Sequence, residues 1–172
     1  VVVAAVGTYL SAQRPGGRMD PNATGPDGAH ALVALLRHRG VEVITAGGVD
    51  DVARQARPHG LVLVARTPRI ADDELLHRLA RLPGDLLLMA PDAPARRILA
   101  PGIRSGPART FTHQPDCGLR EAQRAGPVDL RTTQTYIALP GQQADSCYDG
   151  ALVRYRQGER TITVVGSESS KA

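Results

Sequence analysis

Residues 24–66, TGPDGAHALVALLRHRGVEVITAGGVDDVARQARPHGLVLVAR, contain the pattern that decides the fold. Up to Gly40 the apolar residues recur at helical spacing, and beyond it they alternate or run continuously as they do in strands. We therefore expect a helix that ends at Gly40, because glycine adopts the left-handed conformation of a helix end. Thr24 or Asp27 is the expected N-terminal cap. One strand follows Gly40 directly, and the apolar run Leu61–Val64 is typical of a parallel strand covered on both faces.

The alternation of helix and strand continues as far as Leu99. Residues 67–85 place four leucines on one side of a helix, residues 85–90 form a third apolar strand, and Ala93–Leu99 is a short helix. Three acidic residues lie in the first turn of the longer helix, Asp72, Asp73 and Glu74. The helix dipole favours negative charge there, so we prefer this explanation to a metal site. This order predicts a doubly wound, mostly parallel sheet with right-handed crossovers.

The pattern changes beyond Pro101. Strands are expected at four further places, at residues 128–131, 135–139, 151–156 and 161–165. The turn at 156–160 has Gly158 at the position where a hairpin needs a positive φ. We predict an antiparallel C-terminal hairpin whose last strand returns to the main sheet.

Composition limits the classes of function. The 172 residues suffice for one domain, and the net charge of +4 comes almost wholly from arginines that are scattered from Arg14 to Arg160. A nucleic-acid interface would need clustered cations interleaved with aromatic residues, and aromatic residues make up only 3% of the chain. We therefore expect no nucleic-acid partner.

The N-terminal residues suggest a membrane anchor. Residues 1–10 are almost free of polar side chains and resemble the end of a transmembrane helix, although an edge strand is the alternative because valine is β-prone. Residues 11–23 are expected to be a linker, and residues 24–172 a single α/β domain that is truncated at its C-terminus. The predicted partner at this end is the membrane.

Two cysteines form the most specific pair in the chain. Cys117 and Cys147 are too far apart for a CxxC metal or redox motif, and neither lies in a strand–turn–helix nucleophile elbow. We favour a disulfide, which would place the domain in an oxidising compartment. Two free thiols are the alternative.

The polar residues give no complete catalytic constellation. The five histidines lack metal-ligand spacing, and no glycine-rich loop follows a strand, so we predict no catalytic residue, no metal and no cofactor. Ligands of open α/β sheets bind at the carboxyl ends of the strands. The candidate ligand-binding loops are therefore Arg66, Thr67 and Pro68 after one strand, and Pro91 and Asp92 after the next.

Three segments together resemble a known family. They are MDPNATGPDGAHALVALLRHRGVEV, LVLVARTPRIADDELLHRLARLPGDLLLMAP and DSCYDGALVRYRQGERTITVVGS with the earlier Cys117, and they are similar to the actinobacterial membrane proteins of domain-of-unknown-function family 4350 over residues 18–167. The resemblance implies a three-layer fold similar to class I glutamine amidotransferases and flavodoxins, outside the cell membrane and between two membrane helices. Proteins of this family are often encoded beside a MoxR-type ATPase and other membrane proteins. The resemblance therefore also implies a part in an envelope-associated assembly.

The function expected from the sequence is binding without catalysis. We expect an extracytoplasmic domain of a membrane-anchored protein that binds a protein partner or an envelope ligand. The alternatives are an amidotransferase-like hydrolase or transferase and a domain that binds a small molecule such as a nucleotide or flavin.

Overall fold

The fold is that of a computed structural model, which describes residues 2–6, 19–25, 28–65, 67, 70 and 72–166, with the side chains of 2–6, 111–113 and 130–132 excepted. The described helices are α1 (His30–His38), α2 (Val49–Gln55), α3 (Asp73–Ala80), α4 (Ala93–Leu99) and α5 (Arg120–Ala125). The described strands are β1 (Val2–Val6), β2 (Glu42–Ala46), β3 (Leu61–Val64), β4 (Asp85–Met89), β5 (Ile103–Ser105), β6 (Arg109–His113), β7 (Val128–Thr133), β8 (Tyr136–Ala138), β9 (Ala144–Cys147), β10 (Leu152–Gln157) and β11 (Arg160–Val165).

The strands form one large sheet and two small ones. The large sheet has the order β2-β1-β3-β4-β11-β10-β9, and the pairs β5-β8 and β6-β7 form separate two-stranded sheets. Neighbours from β2 to β11 run parallel, whereas β10 is antiparallel to both β11 and β9. The last strand therefore returns to the main sheet, as the sequence predicts, and its neighbour there is β4.

The predicted fold class, a doubly wound and mostly parallel sheet of the flavodoxin-like or amidotransferase-like three-layer type, is wrong. Four of the eight described strand pairings are antiparallel, and the five described helices are only six to nine residues long. The reason lies in the chain after α4, where α5 is the one described α-helix among seven strands. Most strands in this part of the chain are therefore joined by short connections. Short connections join antiparallel neighbours, because a parallel pair needs a long crossover. The molecule is a mixed α/β fold.

The first residues also differ from the prediction of a membrane helix. Val2–Val6 form β1, an inner strand that pairs with β2 on one side and β3 on the other. A run of valines suits an inner strand because β-branched side chains pack well on a pleated surface. No described helix has the length and the apolar character to cross a bilayer. Residues 7–18, which hold the rest of the expected anchor and most of the linker, lie outside the described part, as do residues 167–172.

Local signals predicted one helix end correctly and two helix starts wrongly. Gly40, with a φ of 79°, follows the C-cap of α1 as expected of a helix end. Asp72, expected in the first turn of α3, instead caps that helix by accepting a hydrogen bond from the Glu74 N–H. However, α1 begins after Ala29 with no side-chain cap, so Thr24 does not cap it, and Asp27 lies outside the described residues.

The main core lies between one face of the sheet and helices α2, α3 and α4. Its fully buried side chains alternate along the strands, as Val62 and Val64 do in β3 and Leu86 and Leu88 in β4. The residues between them, such as Leu63 and Leu87, face the other side and are only half-buried. Helix α1 packs chiefly against the edge strand β2, so this second face has a thinner cover.

Two tyrosines are buried at the end of α4. The Tyr155 hydroxyl accepts a hydrogen bond from the Gly102 N–H at 3.2 Å, whereas the Tyr136 hydroxyl has no partner among the described residues. Burial outweighs the nearby charge of Arg96 and raises the pKa of Tyr136 to about 12. Burial also raises the pKa of Tyr155.

These two hydroxyls predict opposite effects of one substitution. Tyr136→Phe should leave the free energy of unfolding unchanged or raise it by up to about 1 kcal/mol, because an unpaired buried hydroxyl is removed, and Tyr155→Phe should lower it by about 1 kcal/mol. The raised pKa of Tyr136 also predicts a dependence on pH. The neutral hydroxyl contributes its full stability below the pKa of tyrosine in the unfolded chain, about 10. This contribution is lost as the pH rises towards the pKa in the folded protein, about 12. Urea unfolding at neutral and alkaline pH measures both effects. An equal loss in the two variants would contradict the assignment.

Candidate functional site

The predicted binding loops meet at the carboxyl ends of β3 and β4. Thr67 is fully buried, and its hydroxyl accepts a hydrogen bond from the Asp92 N–H at 2.9 Å. The Asp92 carboxylate in turn accepts the Ala95 N–H at 3.0 Å and caps α4. Pro91 is buried between them. The fold therefore brings Thr67, Pro91 and Asp92 together as predicted.

The Thr67 hydroxyl and the Asp92 carboxylate are already used within the fold. The Thr67 hydroxyl joins the two loops, and the Asp92 carboxylate satisfies the free N–H groups at the start of α4. These contacts make a rigid frame. Arg66 and Pro68 lie outside the described residues, and ligand binding by the loops stays a prediction.

The disulfide predicted between Cys117 and Cys147 is present in the structure. Cys147 is fully buried, and it belongs to a second, smaller core with Ala122, Tyr148 and Ala151. The bond joins the segment before α5 to the end of β9. It thereby ties α5 to the antiparallel side of the large sheet.

An unusual turn follows Cys147 directly. Tyr148, Asp149 and Gly150 all have positive φ, at 53°, 53° and 90°. The Tyr148 hydroxyl donates towards the Ala122 and Gly126 carbonyl oxygens, which anchors the turn to α5. A Cβ on Gly150 would lie 2.6 Å from the Tyr136 carbonyl oxygen, so this position requires glycine. The Asp-Gly pair is the sequence signal that could have identified the turn.

Sequence reasoning also missed an open polar cleft beside β9. It has a volume of about 660 Å³ and is lined by Gly141, Gln142, Gln143, Ala144, Asp145, Arg154, Tyr155, Arg156 and Thr161. Strand β9 is an edge of the large sheet, and β10 is its one partner in the part of the chain that the structure describes. No motif marks the cleft in the sequence, because its residues come from three strands and a turn.

Charged side chains are arranged across this end of the sheet. Arg154 lies opposite Asp145 in the register of β10 and β9. Its guanidinium donates to the Thr163 hydroxyl at 3.2 Å and pairs with the Glu121 carboxylate of α5 at 3.2 Å. A backbone hydrogen bond and then Arg154 lower the pKa of Glu121. Arg154 therefore fixes α5 and leaves Arg156, which is exposed, as a cation at the cleft.

The described residues hold no group of three His, Cys, Asp or Glu side chains that could bind a metal ion. The acidic run Asp72–Glu74 lies in and just before the first turn of α3, where Asp72 is a cap. The structure therefore uses at least one of these carboxylates for the helix rather than for a ligand.

Comparisons with known proteins identify a family and one curated relative. A family model described as "Domain of unknown function (DUF4350)" matches residues 21–170. A Mycobacterium tuberculosis protein described as an uncharacterized membrane protein is 52% identical over 168 residues, which are 98% of this chain and 44% of that protein. The chain thus spans less than half the length of this relative.

One solved structure resembles the fold. It is described as a cytoplasmic protein from Salmonella typhimurium, and it aligns with a TM-score of 0.52 at 14% identity over 99% of this chain and 89% of that chain. At this identity the likeness shows the fold alone.

The hydrogen bond between the two loops has a testable consequence. Thr67→Val should lower the free energy of unfolding by about 1–3 kcal/mol, because the Asp92 N–H loses its acceptor in a partly buried position. Thr67→Ser is the matched control, since it keeps the hydroxyl and should retain most of the stability. Urea unfolding of the three proteins measures the difference. A valine variant as stable as the wild type, together with a less stable serine variant, would show that the methyl group and not the hydrogen bond holds the loops together.

Proposed function

Since the chain belongs to the DUF4350 family of domains of unknown function, we propose that it is the extracytoplasmic domain of a membrane-anchored protein and binds a protein partner without catalysis. The support for the membrane is the M. tuberculosis relative, whose printed description is a membrane protein. In this proposal the anchor lies outside the described residues, and β1 belongs to the folded domain rather than to the anchor.

The observation that carries the proposal is the Cys117–Cys147 bond. Disulfides persist in oxidising compartments and are rare in the bacterial cytoplasm, where thiols are kept reduced. A bond that closes a loop of this size is worth about 3–4 kcal/mol in the chain-entropy model. It stabilises the small core beside β9 and α5, where few apolar side chains are available. An oxidising location outside the cytoplasm would allow this bond to form and persist.

The thiol state of the exported protein tests the location. We expect no alkylation of Cys117 and Cys147 in protein isolated with its native leader, and two alkylations after reduction, measured by mass spectrometry. The same chain kept in the reducing cytoplasm is the control and should show two free thiols.

Two readily alkylated thiols in the exported, folded protein would contradict the proposed location. They would also mean that no covalent link joins the segment before α5 to the end of β9.

The surface proposed for the partner is the cleft with the exposed edge of β9. An extended segment of another protein can add to a sheet edge through main-chain hydrogen bonds, while nearby pockets select its side chains. Here Arg156 and the amide side chains of Gln142 and Gln143 line the space beside the edge. Strand β9 is short and has a charged residue, Asp145, which limits unspecific pairing between edges. These features favour a polar or acidic partner segment.

Site-directed photo-crosslinking in cells tests this surface. A photoreactive residue in place of Ala144, which is exposed on β9, should give a discrete adduct with one envelope protein. Thr45 is the matched control position, because it is exposed on β2, the opposite edge strand. Arg156→Glu should reduce the adduct at position 144 at least several-fold if the partner segment is acidic.

Identical adducts from positions 144 and 45 would contradict a specific surface at β9. An adduct that Arg156→Glu leaves unchanged would contradict the role of the cleft in choosing the partner.

A further inference from the structure

The register of the sheet determines which way the main-chain groups of β9 point. The Gly166 N–H donates to the Ala151 carbonyl oxygen at 2.7 Å, so the main-chain groups of Ala151, just before β10, point towards β11. These directions alternate along an antiparallel strand. The main-chain groups of Arg154 therefore point the other way, towards β9, where its partner in the register is Asp145. It follows that the main-chain groups of Asp145 point back to β10.

Two residues of β9 present free main-chain groups at the edge of the sheet. Because Asp145 faces β10, the N–H and C=O groups of its neighbours Ala144 and Ser146 point away from the sheet. Both residues are exposed, and these groups have no hydrogen-bond partner within the described residues. A strand added at this edge would find two donors and two acceptors.

One end of this edge is closed by the chain itself. The Tyr148 N–H, which follows Ser146 by two residues, donates to the Pro115 carbonyl oxygen at 3.2 Å. The bond between Cys117 and Cys147 holds the segment of Pro115 in that place. An added strand therefore has only residues 144–146 to pair with.

The opposite edge of the sheet is protected in a different way. The guanidinium of Arg37 donates to the Val43 carbonyl oxygen of β2 at 3.0 Å, so a side chain from α1 uses one main-chain acceptor of that strand. Natural proteins cover or interrupt edge strands to prevent unwanted pairing. The contrast with β9 indicates that residues 144–146 are the edge that is open to a partner.

The charges along this edge define the side chains that fit it. Asp145 is exposed and forms no ion pair within the described residues, because Arg154 opposite it is paired with Glu121 of α5. One residue beyond Tyr155, which is the partner of Ala144, the exposed Arg156 lies on the same face as Arg154. The edge thus offers a free carboxylate and, two residues further along the face, a free cation.

We propose that β9 receives an extended, antiparallel segment of another protein that pairs with Ala144 and Ser146 alone. The segment has a basic side chain opposite Asp145 and an acidic side chain two residues later, on the side of Arg156. Antiparallel pairing is slightly more stable per residue than parallel pairing, and opposite charges across neighbouring strands stabilise it. The inference rests on the proposed function, and it adds the orientation and the charge pattern of the partner segment.

Charge disfavours a second copy of the chain as the occupant. A symmetric antiparallel pair that used both outward-facing residues would place Asp145 directly opposite its own copy. Like charges in that position are destabilising. A shifted register would either lose the contacts of Ser146 or reach Tyr148, whose N–H is already bonded to Pro115.

Amide hydrogen exchange of the purified, oxidised 172-residue chain tests the geometry. We expect the amide protons of Ala144 and Ser146 to exchange about tenfold or more faster than those of Asp145 and Cys147, which face β10. Equal protection of the four amides would overturn the inference. Protection of Ala144 and Ser146 that grows with protein concentration would overturn it in favour of pairing between two copies.

A tethered segment tests the charge pattern. The segment TTKTETT, joined to Ala172 through a flexible Gly/Ser linker of about 20 residues, stays at an effective concentration of about a millimolar. We expect it to slow exchange at Ala144 and Ser146 about tenfold or more. The segment TTETETT places an acid opposite Asp145 and should protect these amides several-fold less. Asp145→Lys should reverse this preference.

Glu159→Lys is the matched control, because it makes the same change of charge in the exposed turn between β10 and β11 and should leave the preference for TTKTETT unchanged. Unchanged exchange of the core amides in β3 establishes that each variant is folded. The inference is overturned if TTKTETT leaves exchange at Ala144 and Ser146 unaltered. It is also overturned if TTKTETT and TTETETT protect the wild-type chain equally.

The outcome is separable from that of the proposed function. Amide exchange is measured on purified protein and does not depend on the compartment or on the identity of the partner. Free thiols in exported protein would count against the proposed function alone. A discrete adduct from position 144 in cells, together with unprotected amides in the tethered protein, would retain the surface and reject main-chain pairing.

Discussion

The pairing of β11 with β4 holds the two halves of the chain together. Residues from Ile162 to Val165 run parallel to residues from Leu86 to Met89, and this register places Ile162 and Val164 in the main core. Each end of the pairing has a further hydrogen bond. The Thr161 N–H donates to the Asp85 carboxylate, and the Ala90 N–H donates to the Val165 carbonyl oxygen. Since β10 and β9 join the sheet through β11, the cleft and the disulfide depend on this one register.

The disulfide extends that dependence to the small core. Beside β9 and α5 the chain buries few apolar side chains, and a small core supplies little stability by itself. The bond between Cys117 and Cys147 and the hydroxyl contacts of Tyr148 replace part of the missing burial. The three successive residues with positive φ after Cys147 are compatible with this arrangement, because the surrounding contacts determine their conformation. The antiparallel half is therefore held by covalent and polar links, and the parallel half by aliphatic packing.

The two faces of the large sheet differ in a way that bears on function. Helices α2, α3 and α4, together with Ile103 and Tyr136 of the small β5–β8 sheet, pack on one face, whereas the other face is half-buried at Leu63 and Leu87 and polar at Arg154 and Thr163. The surfaces that remain open lie at the two edges of the sheet. One is the side of α1 that exposes Leu32 and Leu35 beside β2, and the other is the polar cleft beside β9.

Local sequence patterns determined most of the elements, and the tertiary structure decided their arrangement. The bounds of α4 and β3 follow from apolar periodicity and from the prolines and glycines around them. The final strand follows from its apolar run, whereas its place beside β4 was decided by the tertiary pairing. Periodicity shows which side of a segment is apolar, but not what packs against that side. It could not distinguish a membrane helix from the inner strand β1, because a run of valines suits both. It could not identify β5, β6 and β9 either, since β9 has one buried residue and is a strand because β10 lies beside it. The leucines of α1 show the same limit: their helical spacing indicated an apolar face, but whether that face is buried depends on what packs against it. The cleft is formed by residues distant along the chain, so its existence was decided by strand register alone.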